Sequence, residues 1–416
     1  MILAQNLLQP LNGNKKTLFF LFLGLLCSCA ARKNSVISST QHVLLNKPGY
    51  ATGILKKDSG TLSSKRQDHE SFSTISLMLP FKLLSINVEN RAEIEKSYLP
   101  LDFYQGFRLA IDSLAATGNK IRLNVLDSQD DSSRISSMIA SGKLDHSSLV
   151  VGPVFPDEIE KVKAFAVTNH TFFVSPLSPH KLSEFNNPYL ILVSSPIEAY
   201  ARQTALFINE HYPSAHIIIL RCTESDDRFI KPLTEVLVTV PELIRVVNSQ
   251  KMVFLKSKLE VGKQNILIVP SLDKSFWSNL MLYLAGQTVD IPLVVFAHPN
   301  FERLQFTNYD LMQQIGLRFA SNYLLNRSEQ NVQGFIRAYK NRYFVGPSRY
   351  AVIGFDIGTY FGGLAKNKSN IEEALNESDF KGLHNEFKFK KVPGQGYENS
   401  SIMILKYNQG QLLEDK

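Results

Sequence analysis

A strand-to-helix turn is the part of this chain whose residue types are best suited to binding chemistry. The segment LVVGPVFPDEIEKV, from Leu149 to Val162, passes from an apolar run through Gly-Pro into a charged stretch with apolar residues at helical spacing. Many α/β proteins bind an anionic group at the free amides where such a helix begins. Here Pro156 has no amide hydrogen that needs a partner. Asp157 and Glu158 place negative charge at the positive end of the helix dipole, which is worth about 0.3–1 kcal/mol each. The sequence therefore predicts a helix start that is satisfied by its own residues.

A second group of acidic residues, Asp127, Asp130 and Asp131, follows a predicted strand. Carboxylates grouped in this way occur in hydrolytic sites, but we favour a solvated loop in which Ser and Asp cap a helix. Asp356 in GFDIG falls in a helical pattern and is expected to be a structural partner rather than a base. The chain contains no G-x-S-x-G, P-loop, H-E-x-x-H or strand-associated G-x-G-x-x-G motif, and its nine histidines are scattered. We therefore expect no enzyme, no metal site and no cofactor.

The elements that would position these residues alternate between strands and helices. STISLMLPF, from Ser73 to Phe81, has the length of a buried strand, and PLDFYQGFRLAIDSL then carries a helical stripe of apolar residues. IRLNVLD is a strand pattern that ends at Asp127, and SSRISSMIASG is a predicted helix closed by Gly142. The alternation returns from EAYARQTALFINEHY onward, and the C-terminal stretch has the alternating residues of a hairpin. This order predicts an α/β protein of two lobes with parallel, doubly wound sheets and a terminal hairpin.

Composition limits the class of protein. The chain has 416 residues, of which 44% are hydrophobic and 20% charged, enough for two globular domains and unlike a disordered protein. Its net charge of +7 is mild for this length, and no dense stripe of Lys and Arg with aromatic residues is present. We therefore do not expect nucleic acid as a partner.

The N-terminus carries the pattern of an export signal. Lys15 and Lys16 precede TLFFLFLGLLCSC, an apolar run that is too short for a bilayer, which needs about 20 residues. The run ends in Leu-Cys-Ser-Cys, which resembles the lipobox of bacterial lipoproteins, and Cys29 fits the lipidated position better than Cys27. The alternatives are an ordinary signal peptide or a buried hydrophobic helix. The expected organisation is a signal peptide over 1–28 and a tether over 29–72. Cys222 is then the one remaining cysteine, and we expect it to be a buried small hydrophobic residue.

The order of the sequence blocks over residues 73–412 resembles the type I periplasmic binding proteins, the group that contains receptors for branched-chain amino acids. The blocks are DFYQGFRLAIDSL, IRLNVLDSQDD, LVVGP, FFVSPLSP, FIRAYKNRYFVGPSRYAVIGFDIG and FKFKKVPGQGYENSSIMILKY. The resemblance implies two Rossmann-like lobes joined by three hinge strands, with a ligand bound between them. It places the first lobe at 73–195 and 323–382 and the second at 196–322 and 383–412. The hinges would be Val193–Pro196, Asn322–Leu325 and Phe380–His384.

The resemblance also implies ligand-binding residues, chiefly at the carboxyl ends of strands. The expected set is Lys82, Ser128, Phe155, Ser175, Ser178, Glu224, Ser271, His298 and Tyr323.

In the amino acid receptors, the turn that matches 154–158 binds the ligand carboxylate with small hydroxyl residues. Because Asp157 and Glu158 occupy it here, we expect no amino acid carboxylate there. The alternative is that one of these acids receives a cationic ligand group. Ser175 and Ser178 either donate to a ligand or belong to a turn built on prolines. Glu224 either pairs with an amino group or is a surface acid.

Two functions are compatible with these patterns. The first is a lipid-anchored, non-enzymatic receptor that closes its lobes on a small solute. The second is an outer-membrane lipoprotein that binds a protein partner on the same scaffold, such as a regulator of peptidoglycan synthesis. A polar, unfilled cleft favours the first, and a filled cleft favours the second. Ala30 after Cys29 resembles lipoproteins sent to the outer membrane, and Arg32 and Lys33 favour its periplasmic face.

Overall fold

A computed structural model describes residues 72–416 of this chain, except Val88, 247–251, 287–290, 366–370 and Ser378. Residues Asp68–Lys416 form one compact unit. The predicted signal peptide, the lipidation site at Cys29 and the predicted tether lie outside the described residues. Within the described part of the chain, no helix combines the length and apolarity needed to cross a membrane.

The strands and helices alternate as predicted. The strands are β1 Ser73–Leu79, β2 Ile121–Asp127, β3 Leu149–Val151, β4 Phe173–Ser175, β5 Leu190–Leu192, β6 His216–Arg221, β7 Glu242–Arg245, β8 Asn265–Val269, β9 Leu293–Ala297, β10 Leu317–Ser321, β11 Phe380–Lys381, β12 Glu386–Phe387, β13 Phe389–Val392, β14 Gly396–Asn399, β15 Met403–Asn408 and β16 Gln411–Glu414. The α-helices are α1 Arg91–Ala116, α2 Ser132–Ala140, α3 Pro156–Asn169, α4 Leu182–Phe185, α5 Ile197–His211, α6 Asp227–Thr234, α7 Lys274–Ala285, α8 Tyr309–Gln314, α9 Gln330–Tyr343, α10 Arg349–Leu364 and α11 Ile371–Glu377.

Fourteen of these strands form two seven-stranded sheets, which confirms the two-lobed α/β fold, and β11 and β12 pair with each other in a separate two-stranded sheet. The first sheet has the order β13-β14-β5-β4-β3-β1-β2, and the second has the order β16-β15-β10-β9-β8-β6-β7. Five consecutive strands of each sheet, β1–β5 and β6–β10, are parallel to their neighbours. Antiparallel pairs occur only toward one end of each sheet, at β13–β14 and at β10–β15–β16. Parallel strands need crossover helices, so both faces of each sheet are covered.

The central strands are apolar on both faces because helices cover both sides. All five residues of β8, NILIV, are buried, and so are all three residues of β3, LVV. In the first lobe, α10 crosses α1 so closely that a Cβ atom at Gly354 would lie 2.2 Å from the carbonyl oxygen of Phe103. Residues with a side chain cannot reach this separation, so the glycine is required for the helix contact.

The chain crosses between the lobes three times, and the third crossing is not where the sequence placed it. The first two crossings follow β5, at 193–196 before α5, and β10, at 322–325. The third was predicted at Phe380–His384, with 383–412 in the second lobe. However, β13 and β14 belong to the first sheet, where β14 pairs in parallel with β5. The chain instead crosses between Asn399 and Met403, and the predicted terminal hairpin is two hairpins, one in each lobe.

Asn399 fixes this third crossing. Its side-chain oxygen accepts hydrogen bonds from the backbone amides of Lys388 at 3.0 Å and Ser401 at 3.2 Å. Its carbonyl oxygen accepts from the hydroxyl of Ser195 at 3.1 Å, which ties the third crossing to the first. Asn399 itself is 2% exposed. The crossings are therefore joined to each other as well as to their own lobes.

Candidate functional site: the interlobe cleft

A cleft of about 1330 Å³ opens between the two lobes. Its walls come from the loops after β1, β3 and β4 and from the start of α1 in the first lobe. The loop after β9 and the start of α5 contribute the wall of the second lobe, and the first two crossings and the segment around His384 contribute as well. Clefts for drug-sized ligands typically measure about 300–1,000 Å³, so this space is large for a single amino acid.

The wall of the first lobe is mainly apolar. Its apolar lining residues are Leu79, Pro80, Ile86, Tyr98, Leu99, Pro100, Val154, Phe155, Pro176, Leu177 and Pro179. Four charged residues, Lys82, Glu93, Glu95 and Asp102, line the same wall. Two aromatic side chains in the apolar set are accessible, Tyr98 at 53% and Phe155 at 38%. Large apolar side chains left accessible in a concave surface are typical of ligand sites, because covering them removes apolar area from water.

The hinge end of the cleft is polar. Its polar lining residues are Ser194, Ser195, Ser321, Asn322, Ser348, Arg349, His384 and Asn385. Asn385 is 6% exposed, and its side-chain oxygen has no hydrogen-bond partner among the described residues. A buried acceptor without a donor is costly, on the order of 1–3 kcal/mol, so this end of the cleft is incomplete in the free protein.

Arg349 places a positive charge in this polar region. It is the first residue of α10, whose N-terminus is capped by the Ser348 hydroxyl accepting from the amides of Tyr350 and Ala351. The guanidinium lies over the ring of Tyr323, 4.5 Å from its centre. Burial raises the pKa of Tyr323 to about 12, and Arg349 opposes that shift. No carboxylate of the described residues lies within the 4.0 Å of an ion pair with Arg349.

Glu302, from the second lobe, faces this cation across the cleft. Its carboxyl remains accessible to solvent, yet the surrounding protein raises its pKa by desolvation, and the charge of Arg349 opposes that shift. Charged side chains from both lobes therefore line the cleft, Arg349 from the first and Glu302 and Arg303 from the second, and Arg349 and Glu302 are not paired directly with one another in this conformation.

The predicted strand-to-helix turn is closed by Glu158. This side chain is 1% exposed, and its Oε2 accepts from the backbone amide of Phe155 at 3.4 Å, inside the first turn of α3. Burial raises the pKa of the Glu158 carboxyl, while the Ser128 hydroxyl and the Phe155 amide act in the opposite direction. Asp157 points outward and is exposed. A carboxylate of the chain itself therefore occupies the helix start, as the residue types predicted.

The predicted serines of the first lobe do not line the cleft. Ser128 and Ser175 are fully buried, and Ser175 donates to the carbonyl oxygen of Pro153 at 3.1 Å. Ser178 is 1% exposed, and its hydroxyl has no partner among the described residues. All three face the interior of the lobe. Their availability to a ligand depends on packing that the sequence alone does not reveal.

Among the predicted residues of the second lobe, none lines the cleft. Glu224 is exposed at the start of the short 3₁₀ segment Glu224–Asp226. Ser271 is buried, and its hydroxyl accepts from the amide of Asp273, the N-cap of α7. His298 lies behind the lining, where its Nδ1 accepts from the amide of Asn300 at 3.0 Å. Burial lowers the pKa of His298 to about 4; the charge of Asp226 opposes that shift, and the charge of Arg303 adds to it.

Lys82 and Phe155 are the predicted site residues that line the cleft. Lys82 forms an ion pair with Asp130 at 2.9 Å. Tyr323 lies at the second hinge beneath Arg349, outside the lining itself. Their role in ligand binding stays a prediction.

The acidic cluster after β2 is structural. Asp127 accepts from the backbone amides of Lys82 at 3.1 Å and Leu83 at 3.0 Å, and so fixes the loop after β1. Asp131 caps α2 by accepting from the amide of Ser133 at 2.8 Å. Asp356 accepts from the backbone amides of Leu383 and His384 and from the His384 ring. These carboxylates are occupied by backbone donors, as expected for loop and helix caps.

Sequence reasoning missed Arg349, Asn385 and Glu302. The search followed the carboxyl ends of strands, whereas Arg349 begins a helix after a loop and Asn385 directly follows Phe380–His384, the segment that was predicted as the third hinge. A signal did exist for Arg349, in the Pro-Ser-Arg sequence at a predicted helix start, because an arginine there opposes the helix dipole and needs another reason to be present.

The fold and this cleft define a class of proteins, the type I periplasmic binding fold. A substrate-binding protein of an ABC transporter from Desulfitobacterium hafniense is 13% identical, covers 83% of this chain and 100% of its own, and superposes with a TM-score of 0.56. Another such structure from that organism, solved with Leu, is 14% identical over the same shares, with a TM-score of 0.53.

A regulator has the same fold. The C-domain of LpoA from Haemophilus influenzae, described as a regulator of PBP1A, is 14% identical, covers 83% of this chain and 100% of its own, and has a TM-score of 0.53. No family model and no curated protein matches the chain. At these identities the similarities establish the fold alone. Among the described residues, no group of three or more His, Cys, Asp or Glu is placed to bind a metal.

Proposed function

We propose that this chain is a non-enzymatic binding protein that takes a solute into the cleft between its lobes. The observation that carries the proposal is the cleft of about 1330 Å³ with an apolar wall, a polar hinge end and unpaired charges from both lobes. Binding would be coupled to closure about the three crossings, because a ligand that contacts both lobes favours the closed state.

The solute is not expected to place an amino acid carboxylate at the start of α3. Glu158 fills that position, and a second carboxylate would be repelled there. The known amino acid receptors of this fold therefore indicate the overall geometry of the site but not how it binds its ligand.

A thermal shift screen of Asp68–Lys416 against amino acids, short peptides and soluble peptidoglycan fragments tests the proposal. A ligand at about 100 times its dissociation constant adds roughly 2.7 kcal/mol to the stability of the folded state. A clear rise in melting temperature for one class supports solute binding. A well-folded protein that responds to none of the panel counts against it.

Binding of a protein partner is the second candidate. The closed helix start at Glu158 and the similarity of the fold to the LpoA C-domain favour it, while the unfilled cleft favours a solute. Crosslinking in cells followed by purification would recover a cell-wall enzyme if this candidate is correct. Recovery of no such enzyme would count against it.

We also propose that Cys29 is lipidated and that the protein is attached to the outer membrane on its periplasmic face. The support is the lipobox-like Leu-Cys-Ser-Cys and the residues after it. Several acyl chains on one residue are sufficient for stable anchoring. Fractionation of cells that express the wild type or Cys29→Ala tests this, because the variant should leave the membrane fraction. A variant that stays with the membranes would contradict the assignment.

A further inference from the structure

Three features of the cleft, taken together, describe the chemistry of an occupant. They are the unpaired guanidinium of Arg349, the unpartnered side-chain oxygen of Asn385 and the apolar wall around Phe155 and Tyr98. This inference rests on the proposed function and specifies the ligand of that same cleft.

Arg349 is prepared to bind an anionic group. Its guanidinium lies over the Tyr323 ring, 4.5 Å from the ring centre, and no carboxylate of the described residues pairs with it, so its N–H donors are available for a planar carboxylate. Stacking restricts the side chain before the ligand arrives, so less conformational entropy is lost on binding. Glu302, a carboxyl whose pKa the charge of Arg349 influences, belongs to the other lobe and is not in ion-pair contact with it.

Asn385 requires a donor. Its side chain is nine-tenths or more buried and lines the cleft, and the oxygen has no donor among the described residues. A ligand that offers only a carboxylate and a hydrocarbon chain would leave this oxygen unsatisfied. A ligand with an amide N–H would satisfy it, and a peptide group also offers an acceptor should the Asn385 amide be turned over.

We propose that the cleft binds a short apolar peptide whose C-terminal carboxylate is bound by Arg349. Its backbone amide donates to Asn385, and its apolar side chains cover the wall formed by residues such as Phe155 and Tyr98. The volume of about 1330 Å³ in this conformation is large enough to accommodate several residues.

The test is titration calorimetry of Asp68–Lys416 with trileucine and with trileucine amide, which lacks the terminal charge. Wild-type protein should bind trileucine about 10- to 100-fold more tightly than the amide, the usual range for a charge-assisted hydrogen-bonded pair. Arg349→Gln should lose that preference and bind both peptides alike. Arg337→Gln is the matched control, because Arg337 is exposed on the same lobe and does not line the cleft.

Glu302→Gln distinguishes binding of the ligand by Arg349 from an ion pair that Arg349 would form with Glu302 when the lobes close. If Arg349 served only to pair with Glu302 on closure, both variants would weaken both peptides equally, and the inference would be overturned. Equal affinity of the wild type for the two peptides would also overturn it. Failure of both peptides to bind, while another solute of the thermal panel binds, would overturn the peptide assignment and leave the proposed function intact. Failure of every solute would count against the proposed function itself.

Discussion

The stability of the second lobe should fall on mild acidification because of His298. This ring lies behind the cleft wall, beside Phe229, with a ring-centre distance of 6.2 Å. Its Nδ1 accepts from the amide of Asn300, which begins the loop that carries Glu302 into the cleft. An imidazole that accepts through Nδ1 must be without a proton there, so protonation removes this hydrogen bond.

The size of the effect follows from the two pKa values. Burial lowers the pKa of His298 from 6.5 to about 4 in the folded protein. Between these values the unfolded chain binds more protons than the folded one, so stability falls as the pH is lowered through this window. The loss attributable to His298 is negligible at pH 7 and reaches about 2 kcal/mol at pH 5.

The measurement compares wild-type Asp68–Lys416 with His298→Asn by urea unfolding between pH 7 and pH 5. The asparagine oxygen can accept from the Asn300 amide but does not titrate, so all other acids and bases cancel in the difference. The wild type should lose about 2 kcal/mol relative to the variant over this range. A difference that does not change with pH would refute the buried, neutral state of His298. An imidazole carbon resonance of His298 that titrates near pH 6.5 would refute it as well.

Three other predictions concern packing and buried groups. Gly354→Ala should destabilise the first lobe by about 1–3 kcal/mol in urea unfolding, because the new Cβ would lie 2.2 Å from the Phe103 carbonyl oxygen. Gly363→Ala is the control and should have no such cost, because a Cβ at that position has no atom within 4 Å. Burial raises the pKa of Glu158 in the folded protein, so the wild type carries a buried charge once the pH rises above that pKa. The free energy of unfolding of Glu158→Gln should therefore increase relative to that of the wild type as the pH rises through this pKa. A difference in melting temperature that does not change with pH would contradict this. Burial raises the pKa of Cys222 to about 11, so iodoacetamide at pH 8 should modify it on the order of a hundred times more slowly than an exposed cysteine, and equal rates before and after unfolding would contradict this.

The sheets were predictable because hydrophobic patterning is local. Apolar runs such as those of β3 and β8 indicate buried strands whichever strands they pair with. The third crossing was placed wrongly because the two C-terminal hairpins have similar alternation. Their assignment to different lobes depends on pairing of β14 with β5 and of β15 with β10, and nothing within either hairpin specifies that distant partner.

The closure of the helix start at Glu158 was predictable from residue types, because the preference of acids for that position is a short-range effect. The residues that line the cleft were harder to predict from the sequence. Ser128 and Ser175 follow their strands as predicted, but their side chains face the lobe interior. Arg349 and Asn385 enter the cleft from regions far along the chain, brought there by the return of the chain to the first lobe.

Closure of the lobes on a bound solute is the most direct test of the account. Spin labels would be attached at Ser137→Cys in the first lobe and Asp310→Cys in the second, both at exposed positions, in a Cys222→Ala background. The distance between the labels would be measured by pulsed electron paramagnetic resonance, with and without the solute that most raises the melting temperature. The account predicts a shorter and narrower distance distribution with the solute. An unchanged distribution at saturating solute would contradict binding between the lobes.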